Sequence, residues 1–527
     1  ASDNAWADGW DLARHDAATA NPETRLGARK RLISGVAALA LLVCVIWPAI
    51  LNRQPFLYPD TTSYVRTADP AVYRFTGFTT WWTAPHSAET SAQQEAAGSA
   101  PATSQPPSSK VILVSRSIYY GLLLYVGFVT SHFWLSTLLQ GAALLLGVYL
   151  ALRMLDQPVW PAFFYVGFAL CVVSDAPFFA GFLTPDLFAG IAILICAVLL
   201  ARDRKITPKD AALAYTFLLT CLLFHESILL IVGGLAAAAL LLNTVRRSWK
   251  NSGGVTIILA ALLSAWLGYA FFHAMVRHAT GQGTVRLPFL SARLVADGPG
   301  RDYLHATCPA NGFVLCQFPQ LPAASDDFLW NLPQDHGVFI LSPPAIQKKL
   351  SDEDAAFALA VLRYNPRGVL AHAATNSAAQ LISFSLEQFS YPGTAGFDEV
   401  FPPSIVARLH RSAAYRGTIP IGAFTLLNDL VVCASAAFLV IASIAALRKR
   451  SAARHRIWAA TGWMIAGVIL NAIICGSASE VLPRYQARVI WLLPLAVLLL
   501  ELPKRIRPWR RHSASADEPV LTARSLS

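Results

Sequence analysis

Charge is scarce in this chain of 527 residues: charged residues make up 14% of it, against about 25% in an average soluble domain. Hydrophobic residues make up 55%, above the usual ~45–50%. The deficit excludes an ordinary soluble enzyme, because the apolar residues gather in blocks of roughly 15 to 27, the length scale of bilayer crossing. A small-residue cleavage pattern is also missing after Thr24–Arg31 and the first apolar block, so that block is expected to be a retained span rather than a removed signal peptide. Lysine and arginine number 42 against 31 aspartates and glutamates. The cations sit at the ends of apolar blocks, where they set topology, and nucleic acid is not implied.

Ten blocks are expected to span: Leu32–Leu51, Phe133–Leu152, Val159–Val173, Leu187–Ala201, Ala211–Phe224, Ser227–Leu242, Val255–Met275, Ile421–Leu447, Ile457–Cys475 and Val489–Leu502. With a cytoplasmic N-terminus, basic residues fall at every inner junction, at Arg25–Arg31, Arg153, Arg202–Lys205, Arg246–Lys250, Arg448–Arg456 and Lys504–Arg511. Ile118–Val129 is too short to span, and counting it would invert every later junction, so it is assigned to the outer interface. The expected fold class is an all-α integral membrane protein. Its parts are a cytoplasmic segment 1–31, a membrane module 32–276 with an outer loop 52–132, an outer loop domain 277–420, further spans over 421–503, and a cytoplasmic tail 504–527.

The tract His86–Lys110 is rich in Ser, Ala, Gln and Pro and cannot bury enough apolar surface to order itself. The loop 277–420 is long enough for a small domain, and Ser351-Asp-Glu-Asp354 within it reads as a capped helix start. Six of the eight cysteines lie in spans. Cys308 and Cys316 lie together in the outer loop, where an oxidising exterior bridges them and a reducing lumen leaves two thiols.

Ionisable residues near the outer ends of spans nominate a polar cavity open to the outside. Asp175 and Asp186 flank the connection between the third and fourth spans, His225-Glu226 joins the fifth and sixth, and Asn428-Asp429 lies in the eighth. A helix beginning near Arg484 puts Arg484 and Arg488 on one face beside Tyr485. Two such guanidiniums suit a phosphate or diphosphate; the competing reading is that both snorkel to lipid headgroups. After the first span comes Tyr58-Pro59-Asp60-Thr61-Thr62-Ser63-Tyr64. Asp60 reads as a helix N-cap or as a base that takes the proton of an attacking hydroxyl, and the two roles are compatible. His225 and Glu226 also have the plainer reading of a pair that satisfies itself at a helix junction.

The order of Asp60, then Ser115-Arg116-Ser117-Ile118-Tyr119-Tyr120-Gly121, then Gln140 to Tyr149 in the second span, resembles the GT-C superfamily of membrane glycosyltransferases. Leu183-Thr-Pro-Asp186-Leu-Phe188 and Pro483-Arg484-Tyr485 resemble later motifs of the same family, and the long outer loops after the first and seventh spans fit its architecture. The resemblance covers about the first 280 residues plus the late Arg-Tyr region. It departs where Ser117 follows Arg116 in place of Pro, and where no paired Asp-x-Asp or Asp-Glu marks an outer loop, which leaves a divalent metal requirement open. The resemblance implies a polyprenyl-phosphate-linked sugar as donor and an inverting transfer, at the periplasmic face of a bacterial cell membrane, to a hydroxyl of an envelope glycan or glycolipid. It makes Asp60 the general base and Arg116, Arg484 and Arg488, with Tyr485, the phosphate-binding group. Tyr64, Asp175, Asp186, His225 and Glu226 become acceptor or cavity residues.

Three other classes compete. A secondary transporter should betray matched interruptions in two repeats, and none is visible. A polysaccharide polymerase or ligase on polyprenyl carriers would place its key groups in the large loop and make Asp60 dispensable. A scaffold would leave the buried polar groups unexplained. No inner loop holds the Gly-rich strand-to-helix turn of a nucleotide-binding domain.

Overall fold

The computed structural model describes residues 22–84, 112–113, 116–281, 283–310, 312–330, 337–393, 396–448 and 455–502. The expected inner tail 504–527, the tract His86–Lys110, Ser115 and most of the segment 1–31 lie outside the described residues. The membrane half begins with α1 (Pro22–Val45), α2 (Trp47–Leu51) and α3 (Pro59–Thr76), then a two-residue strand β1 (Ile112–Leu113), α4 (Ile118–Ser131), α5 (Trp134–Met154), α6 (Val159–Val173), α7 (Ala176–Ala180) and α8 (Leu187–Ala201). It continues with α9 (Pro208–Phe224), α10 (Glu226–Arg246) and α11 (Ser252–Thr280). β2 (Thr284–Val285) pairs in parallel with β1. Next come α12 (Phe289–Asp297), α13 (Pro299–Thr307), α14 (Ser325–Trp330), α15 (Pro344–Tyr364), α16 (Pro366–Ile382), α17 (Gly396–Val400) and α18 (Pro403–Leu409). The chain closes with α19 (Ile421–Arg448), α20 (His455–Ala478) and α21 (Pro483–Leu502).

Six of these helices, α5, α10, α11, α19, α20 and α21, are long and apolar enough to cross a membrane. Their outward side chains are those that water would reject: Leu263, Trp266 and Phe271 on α11 are each more than half exposed, as are Leu430 and Ile441 on α19. In a hydrocarbon solvent such faces need no partner. Helix α8 is the opposite case. Every residue from Leu187 to Ala201 is buried, with α5, α9, α10, α11, α20 and α21 packed around it.

The segment between α11 and α19 has its own small core, built from Val285, Leu304, Phe328, Phe339, Phe357 and Val361 among others. Cys308 and Cys316 are joined in a disulfide beside it. The expected helix start at Ser351 is corrected: α15 begins seven residues earlier, with Pro344 in its first turn. The side chains of that run serve other segments. Asp354 accepts hydrogen bonds from the Ser291 N–H and hydroxyl, both at 2.7 Å, and so ties down the first turn of α12. Glu353 accepts from the Val314 N–H at 2.9 Å, and the Ser351 hydroxyl accepts from the Arg286 N–H at 2.9 Å. A cap-like sequence thus satisfies backbone donors across the domain instead of its own.

Candidate functional site

The site is assembled by a short parallel bridge between two loops distant in sequence. The Phe56 N–H donates to the Gly181 carbonyl at 2.9 Å and the Leu183 N–H to the Phe56 carbonyl at 3.0 Å. The Thr61 hydroxyl adds a bond to the Leu183 carbonyl at 3.1 Å. Beneath the bridge, the buried Gln140 donates to the Ala180 and Phe182 carbonyls and accepts from the Tyr120 hydroxyl at 2.6 Å. A loop anchored at both its backbone and its floor brings Tyr58 and Asp60 to the same end of the bundle as Thr184 and Asp186.

Helix α3 starts at Pro59, with Tyr58 as the N-cap residue and Asp60 in the first turn. The N-cap reading of Asp60 is therefore corrected: the Tyr58 N–H is satisfied by the Thr61 hydroxyl at 3.0 Å, which leaves the Asp60 carboxylate to face outward. Arg116, just ahead of α4, donates from Nη2 to Asp60 Oδ1 at 2.5 Å, and the Asp60 side chain stays 26% exposed. Oδ2 accepts no hydrogen bond from the described residues. The guanidinium of Arg116 also lies over the Tyr64 ring at 5.8 Å and the Trp330 ring at 6.0 Å. Tyr64 itself is buried, edge-on to Tyr120 with ring centroids 5.0 Å apart, so it supports Arg116 from below and does not line an open cavity.

Close approach of α3 and α4 fixes this pair. A Cβ at Gly121 would lie 2.4 Å from the Tyr64 carbonyl oxygen. Gly121→Ala is expected to push the helices apart and to cost about 1–3 kcal/mol of stability, as overpacking does. A thermal midpoint equal to that of the unmodified protein would contradict the contact.

Four residues apart on α21, Arg484 and Arg488 both turn inward to Asp186. The headgroup-anchor reading does not fit this placement. Arg488 is 1% exposed. It donates to Asp186 Oδ1 at 3.1 Å, to Asn471 Oδ1 at 3.0 Å, and to the Ser227 hydroxyl and Cys475 sulfur at 3.3 Å. Its donors are committed to protein, so direct phosphate binding by Arg488 is corrected to a structural role in holding Asp186. Arg484 differs: Nε stands 3.7 Å from Asp186 Oδ2, and neither Nε nor Nη1 has a hydrogen-bond partner although both are buried. Its guanidinium lies over the Tyr58 ring at 4.1 Å and over the Tyr485 ring at 5.2 Å. Asp186 also accepts from the Thr184 hydroxyl at 2.7 Å.

His225 and Glu226 are not a self-satisfying pair. His225 caps α10 by accepting from the Ser227 N–H at 3.1 Å, and Glu226 points outward, exposed. Asp175 is separate from this site; it lines a cavity together with Asn428.

Four contributors escaped the sequence reading. Asn471 carried a usable signal, since an amide inside an apolar span is costly without a partner. Tyr58 adjoined a residue already singled out. Trp330 and Asp326 come from the outer domain, and no local pattern marks them. At the rim Ser325 donates to Glu480 Oε2 at 3.3 Å. Burial, then the nearby Asp327 and Asp60, hold the Asp326 carboxyl above the usual range; burial, then Asp326, raise that of Glu480. The folded state therefore keeps these protons to higher pH than the unfolded chain does. The associated stability is complete below the ordinary carboxyl range and is lost as pH rises through the raised values. Glu480→Gln is expected to raise the thermal midpoint at neutral and alkaline pH, with the gain shrinking on acidification. A midpoint difference that ignores pH would count against this.

Comparison with known proteins gives no match to a family model, a curated protein or a solved structure. The geometry of the site carries the functional reading.

Proposed function

We propose that the chain is an inverting membrane glycosyltransferase of the GT-C type. In this reading it has ten spans, cytoplasmic basic junctions and a site on the periplasmic face of a bacterial cell membrane. The observation that carries the reading is one pairing: an accessible carboxylate, Asp60, within electrostatic reach of the buried guanidinium of Arg484, whose Nε and Nη1 have no hydrogen-bond partner among the described residues. The inner assignment of the basic junctions is supported by their convergence. Arg153 pairs with Asp210, and Arg456 with Asp156 and Asp203, while Arg202 reaches Asp156. All lie at the end of the bundle marked by the C-terminus of α8, opposite Asp186.

The donor is a polyprenyl-phosphate-linked sugar and the acceptor a hydroxyl of an envelope glycan or glycolipid. The acceptor oxygen attacks the anomeric carbon as its proton passes to Asp60 Oδ2. The bond from that carbon to the phosphate oxygen breaks, and its electron pair leaves with the phosphate. Arg116 holds Oδ1 and leaves the second oxygen for the proton. Arg484, over Tyr58, offers its donors where negative charge grows on the leaving phosphate. Arg488 keeps Asp186 in place, and Asp186 orients Arg484.

The test is to supply the reconstituted protein with a panel of polyprenyl-phospho-sugars and acceptors and to measure release of polyprenyl phosphate. Release from at least one donor is expected; none from any would end the reading. Arg484→Ala is expected to weaken donor binding by roughly tenfold or more, in keeping with a lost charged hydrogen bond, while the fold is retained. Undiminished donor affinity in a folded Arg484→Ala protein would contradict its role.

A further inference from the structure

A cavity of about 340 Å³ lies among α1, α2, α6, α7 and α19, away from Asp60 and Asp186. Its walls are apolar, with Trp47, Cys171, Phe178, Leu386 and Phe424 among the lining residues. At its rim Phe168, Val172 and Leu427 are at least half exposed, as side chains facing lipid tails are. Three polar residues interrupt the lining, Ser174, Asp175 and Asn428, and the Ser174 hydroxyl is already spent on the Leu170 carbonyl at 2.7 Å. Asp175 is 1% exposed and Asn428 5%, and neither oxygen of Asp175 nor either amide atom of Asn428 has a hydrogen-bond partner. Asp429, beside them, acts electrostatically on Asp175 and also has a buried, unpartnered Oδ1. Among the described residues no basic group acts on either acid side chain.

This donor set selects a class of ligand. Two acid groups with no basic neighbour among the described residues give an anionic head nothing to pair with. A hydroxyl head would supply a hydrogen bond and no charge, and so could not offset ionisation of a desolvated acid. A bare metal ion wants several oxygens around it, whereas this lining is mostly carbon. An ammonium supplies up to three donors and a compensating charge, and rings such as Trp47 and Phe424 favour cations further. The volume suits a chain of roughly ten methylene-sized groups, if each takes about the ~30 Å³ share of a water molecule.

We propose that this cavity binds a cationic amphiphile, a single-chain lipid amine whose ammonium is held by Asp175 and Asn428 and whose tail lies along Trp47, Phe178 and Phe424. The site is independent of glycosyl transfer and stands or falls apart from it. Native mass spectrometry of the full-length protein with dodecylamine, dodecanol and dodecanoate tests it. The amine is expected to be retained about tenfold more strongly than the alcohol, and the carboxylate not at all. Asp175→Asn should abolish that preference, and Val172→Trp, which narrows the mouth and leaves Asp175 intact, should block the amine. Arg484→Ala should leave amine binding unchanged, which separates this site from the first. Equal retention of amine and alcohol by the unmodified protein overturns the proposal, as does amine binding unaltered by Val172→Trp; these two measurements decide the matter even if Asp175→Asn fails to fold.

Discussion

Asp60→Asn is expected to lower sugar transfer by roughly 10²- to 10⁴-fold, the usual contribution of a positioned base, while the protein still folds and inserts. Asparagine keeps the shape and can still accept from Arg116 through its amide oxygen, in place of the 2.5 Å ion pair. Its second terminal atom is an NH₂, which cannot take up the acceptor proton. The loss should therefore fall on turnover, with donor binding changed less, because Arg484 and not Asp60 faces the phosphate. Initial rates of polyprenyl phosphate release at saturating donor measure the effect. Near-normal turnover by a folded Asp60→Asn protein would refute the assignment and favour a polymerase or ligase whose key groups lie in the outer domain.

The second large effect is on stability. Asp186 and Arg488 are 5% and 1% exposed, and the charge of each is compensated within the protein. Arg488→Ala would leave Asp186 with Arg484 at 3.7 Å as its remaining ion-pair partner, and Asn471 Oδ1 with only the weak Cys475 thiol donor at 3.8 Å. Breaking one side of a buried pair typically costs about 3–5 kcal/mol, so a marked drop in thermal midpoint is expected, with much less protein surviving purification. The double variant Asp186→Asn with Arg488→Met removes both charges and should recover part of the loss, since the penalty arises from an uncompensated charge more than from a missing contact. If Arg488→Ala unfolds like the unmodified protein, Arg488 is not the strut described, and direct phosphate binding becomes the better role for it.

The contrast between the two arginines also marks what could be read in the chain and what could not. The apolar blocks were legible as helices because hydrocarbon imposes a length and a composition on a crossing, although six of the helices, and not ten, are long and apolar enough to cross a membrane. Their ends were less so: α10 begins at Glu226 and α11 at Ser252, where polar residues extend helices beyond the apolar windows. The four-residue spacing of Arg484 and Arg488 correctly placed them on one face. It could not say that Asn471, Ser227 and Cys475 would claim one guanidinium and leave the other uncommitted, because those partners come from α10 and α20. The same limit separated Asp175, which lines a cavity, from Asp186, eleven positions on and held in buried ion pairs, and hid Trp330 and Glu480 at the rim. Pairing across distant segments, as between Phe56 and Phe182, leaves no periodic trace.

The full enclosure of α8 bears on how the protein meets lipid. Fifteen residues make a helix only about 22 Å long, short of a ~30 Å hydrocarbon layer. A lone helix of that size would tilt nothing and thin the bilayer instead, but α8 never touches lipid; the longer helices around it bear the mismatch. Asp186, at its head, is thus set by the surrounding helices and not by the lipid. Changing acyl-chain length should deform the perimeter and leave its position alone.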